Sequence, residues 1–340
     1  MSQFRNLVFE GGGVKGIAYA GALELLETGD DPVLPDIRRV AGTSAGAITA
    51  TLMALGAAAK EIADIVGGTH FRDFMDDSFG VVRDVNRLVE HYGWFKGDAF
   101  SDWMRKQVHV LCGNSDITFA ELEAKARQAR SKMKELFVVG TSLTMQMPMV
   151  YSAETTPNFP IWEATRISMS IPLFFAAVAK SKQILVDGGV TWNYPLDLFD
   201  DKKFVDPADS WKPKPPNYPT TYDENHIYNK QTLGFRVDTQ DEIRAEKESW
   251  KLPPAKIDDF VDYLKVLVGY MGDMANKMHL HDNDWHRTIA IDAAGVRSTQ
   301  FDLSEDKVAM LVKNGRKAAT DYFAWFKDPS SNPLPLNRVA

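Results

Sequence analysis

A single cysteine, Cys112, in 340 residues excludes any disulfide within the chain and fits a reducing compartment. Lysines and arginines number 39 against 46 aspartates and glutamates. The resulting net charge of −7 speaks against a nucleic-acid partner and against a polybasic membrane anchor. Long apolar runs are missing too. The nearest approach, Val40 to Ala59, carries no formal charge but is built from Ala, Gly and Thr, with few large apolar residues. It reads as a helix buried among its neighbours, not as a membrane span. The opening residues, MSQFRNLVFEGGG, lack a basic stretch followed by an apolar one, so no cleavable signal peptide is expected. A cytoplasmic protein, at most peripheral at membranes, is the expectation.

What is present is an ordinary globular composition, 44% hydrophobic and 25% charged, with ample material for a core. Short apolar runs at 7–9, 39–42, 136–141, 184–186, 232–237 and 288–291 read as buried strands. Helical patterns cover 16–27, 45–59, 60–66, 97–111, 119–134, 257–279 and 304–326. Strands alternating with helices predict an α/β fold with a mostly parallel sheet. Prolines 207, 213, 215, 216 and 219 mark residues 200–230 as an irregular surface insertion, and a loose tail is expected from Pro329. A strand following the insertion favours one domain, residues 1–340, over two.

Two glycine-rich hinges lie between a strand and a small-residue helix. The second, GTSAG, puts Ser44 between Gly42 and Gly46 on a sharp turn, where side chains at either glycine would clash. Its hydroxyl then projects at a helix N-terminus, and the Ala45 N–H is placed to donate to an oxyanion. The first hinge, EGGGVKG, permits three readings. A P-loop needs Lys and Ser or Thr where Ile17 and Ala18 stand. A dinucleotide fingerprint needs a carboxylate at the end of the second strand, and none is there. An oxyanion cradle made by the N–H groups of Gly11, Gly12 and Gly13 uses every glycine and explains why the hinges are consecutive. Lys15 is expected to face solvent or to brace this loop.

Asp187, before Gly188 and Gly189, is either a turn signal or a base at the carboxyl end of a strand. A Ser44–Asp187–histidine triad drawing on His279, His281 or His286 is the rival scheme, although that fold places several strands before its nucleophile. No third ligand accompanies these histidines at metal-site spacing, so no metal or other cofactor is expected. Ser142 follows Gly140-Thr141 but lacks the second glycine, and reads as a strand end. Phe71, Phe74, Met75, Trp94 and Phe95 offer an acyl pocket or lid. Met145, Met147 and Met149 alternate at strand period and read as sheet core before cavity lining. Lys125, Arg127, Arg130, Lys132 and Lys134 read as a solvated helix face before a contact for anionic headgroups.

EGGGVKG, GTSAG and DGG, in this order, resemble the signature blocks of the patatin-like phospholipase family. The segment from Ala164 to Pro172 resembles the block before that family's catalytic aspartate, and Asn193-Tyr194-Pro195 its continuation. The likeness runs over 5–327, with Glu10 where Asp is usual and Lys15 where Arg is usual. The resemblance implies a three-layer sandwich, a mostly parallel central sheet flanked by helices. It also implies a Ser44–Asp187 dyad without a histidine relay, an acyl-enzyme, and an oxyanion hole from the glycine loop and Ala45. The implied substrate is a fatty acyl ester of a phospholipid, met in transient contact with a membrane surface. An esterase or thioesterase of other substrates, or a non-catalytic lipid-binding relative, are the alternatives.

Overall fold

The computed structural model describes residues 2–69, 71–74, 92–205, 225–242, 254, 257, 258, 260–298, 300 and 302–338. They form strands β1 (Asn6–Phe9), β2 (Arg39–Thr43), β3 (Gly93–Phe95), β4 (Glu135–Ser142), β5 (Met147–Tyr151), β6 (Leu173–Phe175), β7 (Val178–Lys180), β8 (Gln183–Asp187), β9 (Thr232–Asp238) and β10 (Thr288–Asp292). The helices are α1 (Tyr19–Thr28), α2 (Ala45–Ala54), α3 (Ala59–Gly67), α4 (Asp98–Cys112), α5 (Phe119–Ala126), α6 (Ile161–Ser168), α7 (Phe260–His279) and α8 (Glu305–Lys327).

Alternation along the short apolar strands sends side chains to two cores. Leu7, Phe9, Val40, Leu136 and Val138 join a large core that also takes in α1, α2 and α8. Val8, Ala41 and Phe137 face the other way, against Tyr194, Leu196 and Phe199. A strand buried on both faces must be covered on both sides, which is the layering expected of an α/β fold.

The strand order is β10–β9–β1–β2–β4–β8–β7, with β5 also on β4 and a separate β3–β6 pair. From β10 to β4 every pairing is parallel. Beyond β4 the sheet turns antiparallel at β5, β8 and β7. The connections explain the change. Only Ser181 and Lys182, both at positive φ (52° and 64°), join β7 to β8, and a two-residue turn can link antiparallel strands alone.

Several sequence expectations shift here. α5 stops at Ala126 instead of reaching Lys134; Arg130 adopts φ 63° in the turn that follows, and Arg127 bridges back to Glu123 (2.9 Å) and on to Glu135 (3.3 Å). Met145 and Met147 flank a hairpin turn and are 56% and 46% exposed, so neither is sheet core nor cavity lining. Residues 206–224 of the proline-rich stretch lie outside the described residues, but its ends are pinched together where Asp201 bridges His226. The segment after Pro329 is tied down and not loose. Asn337 is fully buried, donates to the Tyr322 hydroxyl (3.0 Å), and its carbonyl accepts from Gln3 Nε2 (2.6 Å). Among the described residues, no helix is long and apolar enough to cross a membrane.

Candidate active site

Strand register brings the two hinges together. Thr43 of β2 lies opposite Val139 of β4, so the next residues, Ser44 and Gly140, share a level. β8 runs the other way along β4, with Asp187 opposite Gly140. Ser44 and Asp187 therefore arrive at the same rung of the sheet, at the carboxyl end of β2.

Ser44 sits at φ 53° and ψ −125°, a strained conformation for a residue with a side chain. The turn closes because both flanking residues are glycine: a Cβ on Gly42 would collide with the Gly46 carbonyl, and one on Gly46 with the Phe9 carbonyl. Ser168 holds the turn in place. Its hydroxyl accepts the Ser44 N–H (2.8 Å) and donates to the Val139 carbonyl (2.5 Å). The serine hydroxyl donates to a soft acceptor, Met169 Sδ at 3.7 Å, is near enough to Asp187 to lower its carboxyl, and stands at the positive end of α2.

Asp187 is 4% exposed. Its Oδ1 accepts the Gly189 N–H (2.6 Å), while Oδ2 is buried and accepts no hydrogen bond among the described residues. Burial pushes this carboxyl up to about 7, against the opposing pull of the Ser44 hydroxyl and the Gly189 N–H.

The glycine loop needs one correction. The Gly11 N–H donates to the Asn193 carbonyl (3.0 Å), so it is spent and cannot serve an oxyanion. Val14 N–H is likewise taken, by the Ser298 carbonyl (3.0 Å). Gly12 and Gly13 stand at the start of a short 3-10 helix and Ala45 at the start of α2, where N–H groups have no partner within the helix. These three remain the candidate donors.

Behind the loop, Glu10 is enclosed by polar groups. It pairs with Arg236 Nε (3.3 Å) and accepts from Asn276 Nδ2 (2.6 Å), Asn193 Nδ2 (3.4 Å) and the Val237 N–H (3.3 Å). Burial raises the Glu10 carboxyl and Arg236 lowers it. Lys15 does not face solvent. It is 8% exposed, lines the cavity, and makes no ion pair among the described residues, although Glu10 and Asp273 feel its charge.

A cavity of about 300 Å³ opens over Ser44, Asp187, Gly12 and Gly13, walled by Ile171, Pro172 and Val266. Among the described residues that line it, none is a histidine, and His279, His281 and His286 all lie elsewhere. His279 stacks on Trp192 and reaches the Thr191 carbonyl (3.1 Å), while His286 Nδ1 accepts the Leu336 N–H (3.1 Å). The triad scheme therefore has no relay in place. Phe74 and Phe95 are core residues, packed on Phe100 and on Phe174 and Phe175, and do not line the cavity; Met75 lies outside the described residues. Among the described residues, no cluster of three His, Cys, Asp or Glu side chains is placed to hold a metal ion.

The sequence displays the segment holding Ser168 but not the role of its hydroxyl, which depends on residues far away in the chain. Nor does it show the Glu10–Arg236–Asn276 group, whose members are far apart in the chain. Only a strand ending in Arg236 and Asp238, two charges among apolar neighbours, gave a signal.

Comparison with known proteins agrees with the fold. The family model described as patatin-like phospholipase matches residues 7–200. The uncharacterized protein R571 of Acanthamoeba polyphaga mimivirus is 31% identical over 201 residues, 59% of this chain and 63% of that protein, so the chain spans less than two thirds of this relative's length. The uncharacterized protein YqhO of Bacillus subtilis is 26% identical over 319 residues, 91% of this chain and 94% of that one. Among solved structures, VipD from Legionella pneumophila superposes with a TM-score of 0.55 at 18% identity, over 95% of this chain and 67% of that one, a likeness of fold.

Burial of Asp187 carries a stability signature. A carboxyl raised from 3.8 to about 7 in the folded protein leaves stability intact below about pH 4 and erodes it as pH rises to about 7. That displacement is worth about 4 kcal/mol at most. Asp187→Asn should therefore melt above the parent protein at pH 8, and the gap should shrink steadily as pH falls towards 4. Calorimetric scans across that range check it; a gap independent of pH would refute it.

Proposed function

The chain belongs to the patatin-like phospholipase family, and from that membership we propose a phospholipase A-type lipid acyl hydrolase working through a Ser44–Asp187 dyad. The observation that carries the reading is the common rung. A strained serine and a buried carboxylate with one unbonded oxygen border the same cavity as the Gly12 and Gly13 backbone.

In the proposed first half-reaction, Asp187 Oδ2 takes the Ser44 proton as Oγ attacks the ester carbonyl carbon. The carbonyl oxygen becomes an anion held by the N–H groups of Gly12, Gly13 and Ala45. Collapse of this intermediate breaks the ester C–O bond. The departing lipid alcohol takes the proton back from Asp187, and the acyl group stays on Ser44. In the second half, Asp187 removes a proton from water, the hydroxide attacks the acyl carbon, and the fatty acid leaves as Ser44 regains its proton. A carboxyl lifted to about 7 suits both duties, because it accepts and returns a proton near neutrality.

Support for a phospholipid comes from Lys15. Lys15 is 8% exposed, and Glu10 and Asp273 act on it without forming an ion pair among the described residues, so its ammonium retains donors for an anion in the cavity. A phosphodiester supplies one and a neutral acylglycerol does not. Such a substrate brings the protein to a membrane surface.

Three measurements test this reading. Ser44→Ala should abolish both fluorophosphonate labelling and fatty acid release from defined mixed-chain phospholipids. Labelling without release from any phospholipid would move the substrate to other esters or thioesters, and turnover surviving in Ser44→Ala would end the dyad. The pH profile of kcat/KM should fall on the acid side with a midpoint near 7, because protonated Asp187 is no base; activity undiminished at pH 5 would exclude it in that role. Lys15→Met should lower kcat/KM for phospholipid about tenfold more than for a short uncharged ester, the worth of one charged hydrogen bond. An equal loss on both substrates would deny the phosphate contact.

A further inference from the structure

Asn193 touches both loops of the candidate centre, and we propose that it is a positioning residue that aims the Gly12 N–H at the oxyanion. This inference deepens the hydrolase reading above and rests on it.

The Gly11 residue is gripped at both ends by Asn193. Its N–H donates to the Asn193 backbone carbonyl (3.0 Å), and its C=O accepts from the Asn193 side-chain amide Nδ2 (3.1 Å). The Gly11 carbonyl and the Gly12 N–H belong to one planar trans peptide, so they point in opposite directions. Holding the carbonyl toward Asn193 turns the N–H away from it. The loop passes close to the nucleophile on that course, since a Cβ on Gly11 would come within 3.1 Å of Ser44 Cβ. Three successive glycines have no side chains to fix their dihedrals, so a peptide plane here needs an outside grip to hold one orientation. A donor that is already oriented stabilises the developing anion without reorganising during the reaction.

The grip is itself set by the loop that carries the base. After Asp187, the Thr191 and Trp192 N–H groups both turn back to the Gly188 carbonyl (3.1 and 2.8 Å), and this tight turn delivers Asn193. Its amide fits because Gly189 is small: a Cβ there would stand 2.9 Å from Asn193 Oδ1, and a Cβ on Gly11 would collide with the same oxygen. The amide is oriented from behind by Glu10 Oε1 (3.4 Å), the oxygen that also receives Asn276 Nδ2. Gly11 thus has a function in the site although its N–H is spent. It offers the seat and the carbonyl by which the next peptide is turned.

The test uses Asn193→Ala and Asn193→Asp in the full chain, with active sites counted by end-point fluorophosphonate labelling. The geometry predicts full labelling at the end point, reached about a hundredfold more slowly, and kcat per labelled site lower by the same factor, the loss expected for one oxyanion donor. KM should stay within about threefold, because the grip matters in the transition state more than in substrate binding. The acid midpoint of the pH profile should not move in Asn193→Ala, because Asp187 keeps its surroundings, and should rise in Asn193→Asp, which puts a second carboxylate within about 6 Å of Asp187. A purely structural role gives a different result: a smaller labelled fraction with kcat per labelled site within about threefold of the parent, which overturns the proposal. If Asn193→Ala does not fold, Asn193→Asp keeps the shape and presents an acceptor to the Gly11 carbonyl, and the same readout decides. Failure of the hydrolase reading shows separately, as turnover that persists in Ser44→Ala whatever the Asn193 variants do.

Discussion

β4 runs three residues past the end of β2, and the candidate site is built on that overhang. Thr43 is the last residue of β2 to pair, opposite Val139, and Gly140 to Ser142 are free to take β8 in the opposite direction. Backbone pairing fixes this to the residue. A slip of one position along β4 would carry Asp187 off the level of Ser44 and turn its side chain to the other face. The turn after Asp187 is fitted just as tightly, since a Cβ on Gly188 would collide with the Val139 carbonyl and crowd Thr43. Precision at the site is inherited from sheet hydrogen bonds formed several residues away.

The two buried carboxylates of this region receive opposite treatment. Glu10 is surrounded by a guanidinium, two side-chain amides and a backbone N–H. Asp187 is given one N–H on one oxygen, and among the described residues no hydrogen bond on the other, with the Ser44 hydroxyl close by. A carboxylate saturated with donors is structural and holds its neighbours still. One left half satisfied has an oxygen ready for a proton; burial raises both acids, so what separates them is the donors each one meets.

Much of this was legible in the sequence, because glycine-rich hinges between apolar strands and small-residue helices leave few alternatives. The parallel half of the sheet, the positions of Ser44 and Asp187 and the glycine loop were all visible there. What escaped depended on distant partners. Gly11 looks like its two neighbours until the Asn193 carbonyl arrives to take its N–H. Lys15 reads as a surface lysine because most lysines are, and only the closing of the cavity around its stem shows otherwise. Ser168 bonds to a residue 124 positions earlier. Met145 and Met147 keep a strand-like period through a hairpin turn, where period says nothing about burial. Phe74 and Phe95 have the character of a lipid pocket, but side chains of that kind fill any core.

α7 is fastened twice towards its C-terminal end. Asn276 bonds to Glu10 beneath the glycine loop (2.6 Å), and His279 reaches Thr191 in the loop after Asp187 (3.1 Å), whereas Val266 and Gly269, earlier in the helix, border the cavity mouth. Swinging the whole helix outward would tear both fastenings and slacken the very loops that a bound lipid needs held firm. Gly269 and Gly272 line the cavity as well, so this stretch of the helix leaves room beside the glycine loop. One rod thus ties the loop of glycines to the loop that follows Asp187, and whatever displaces it must disturb both halves of the site together.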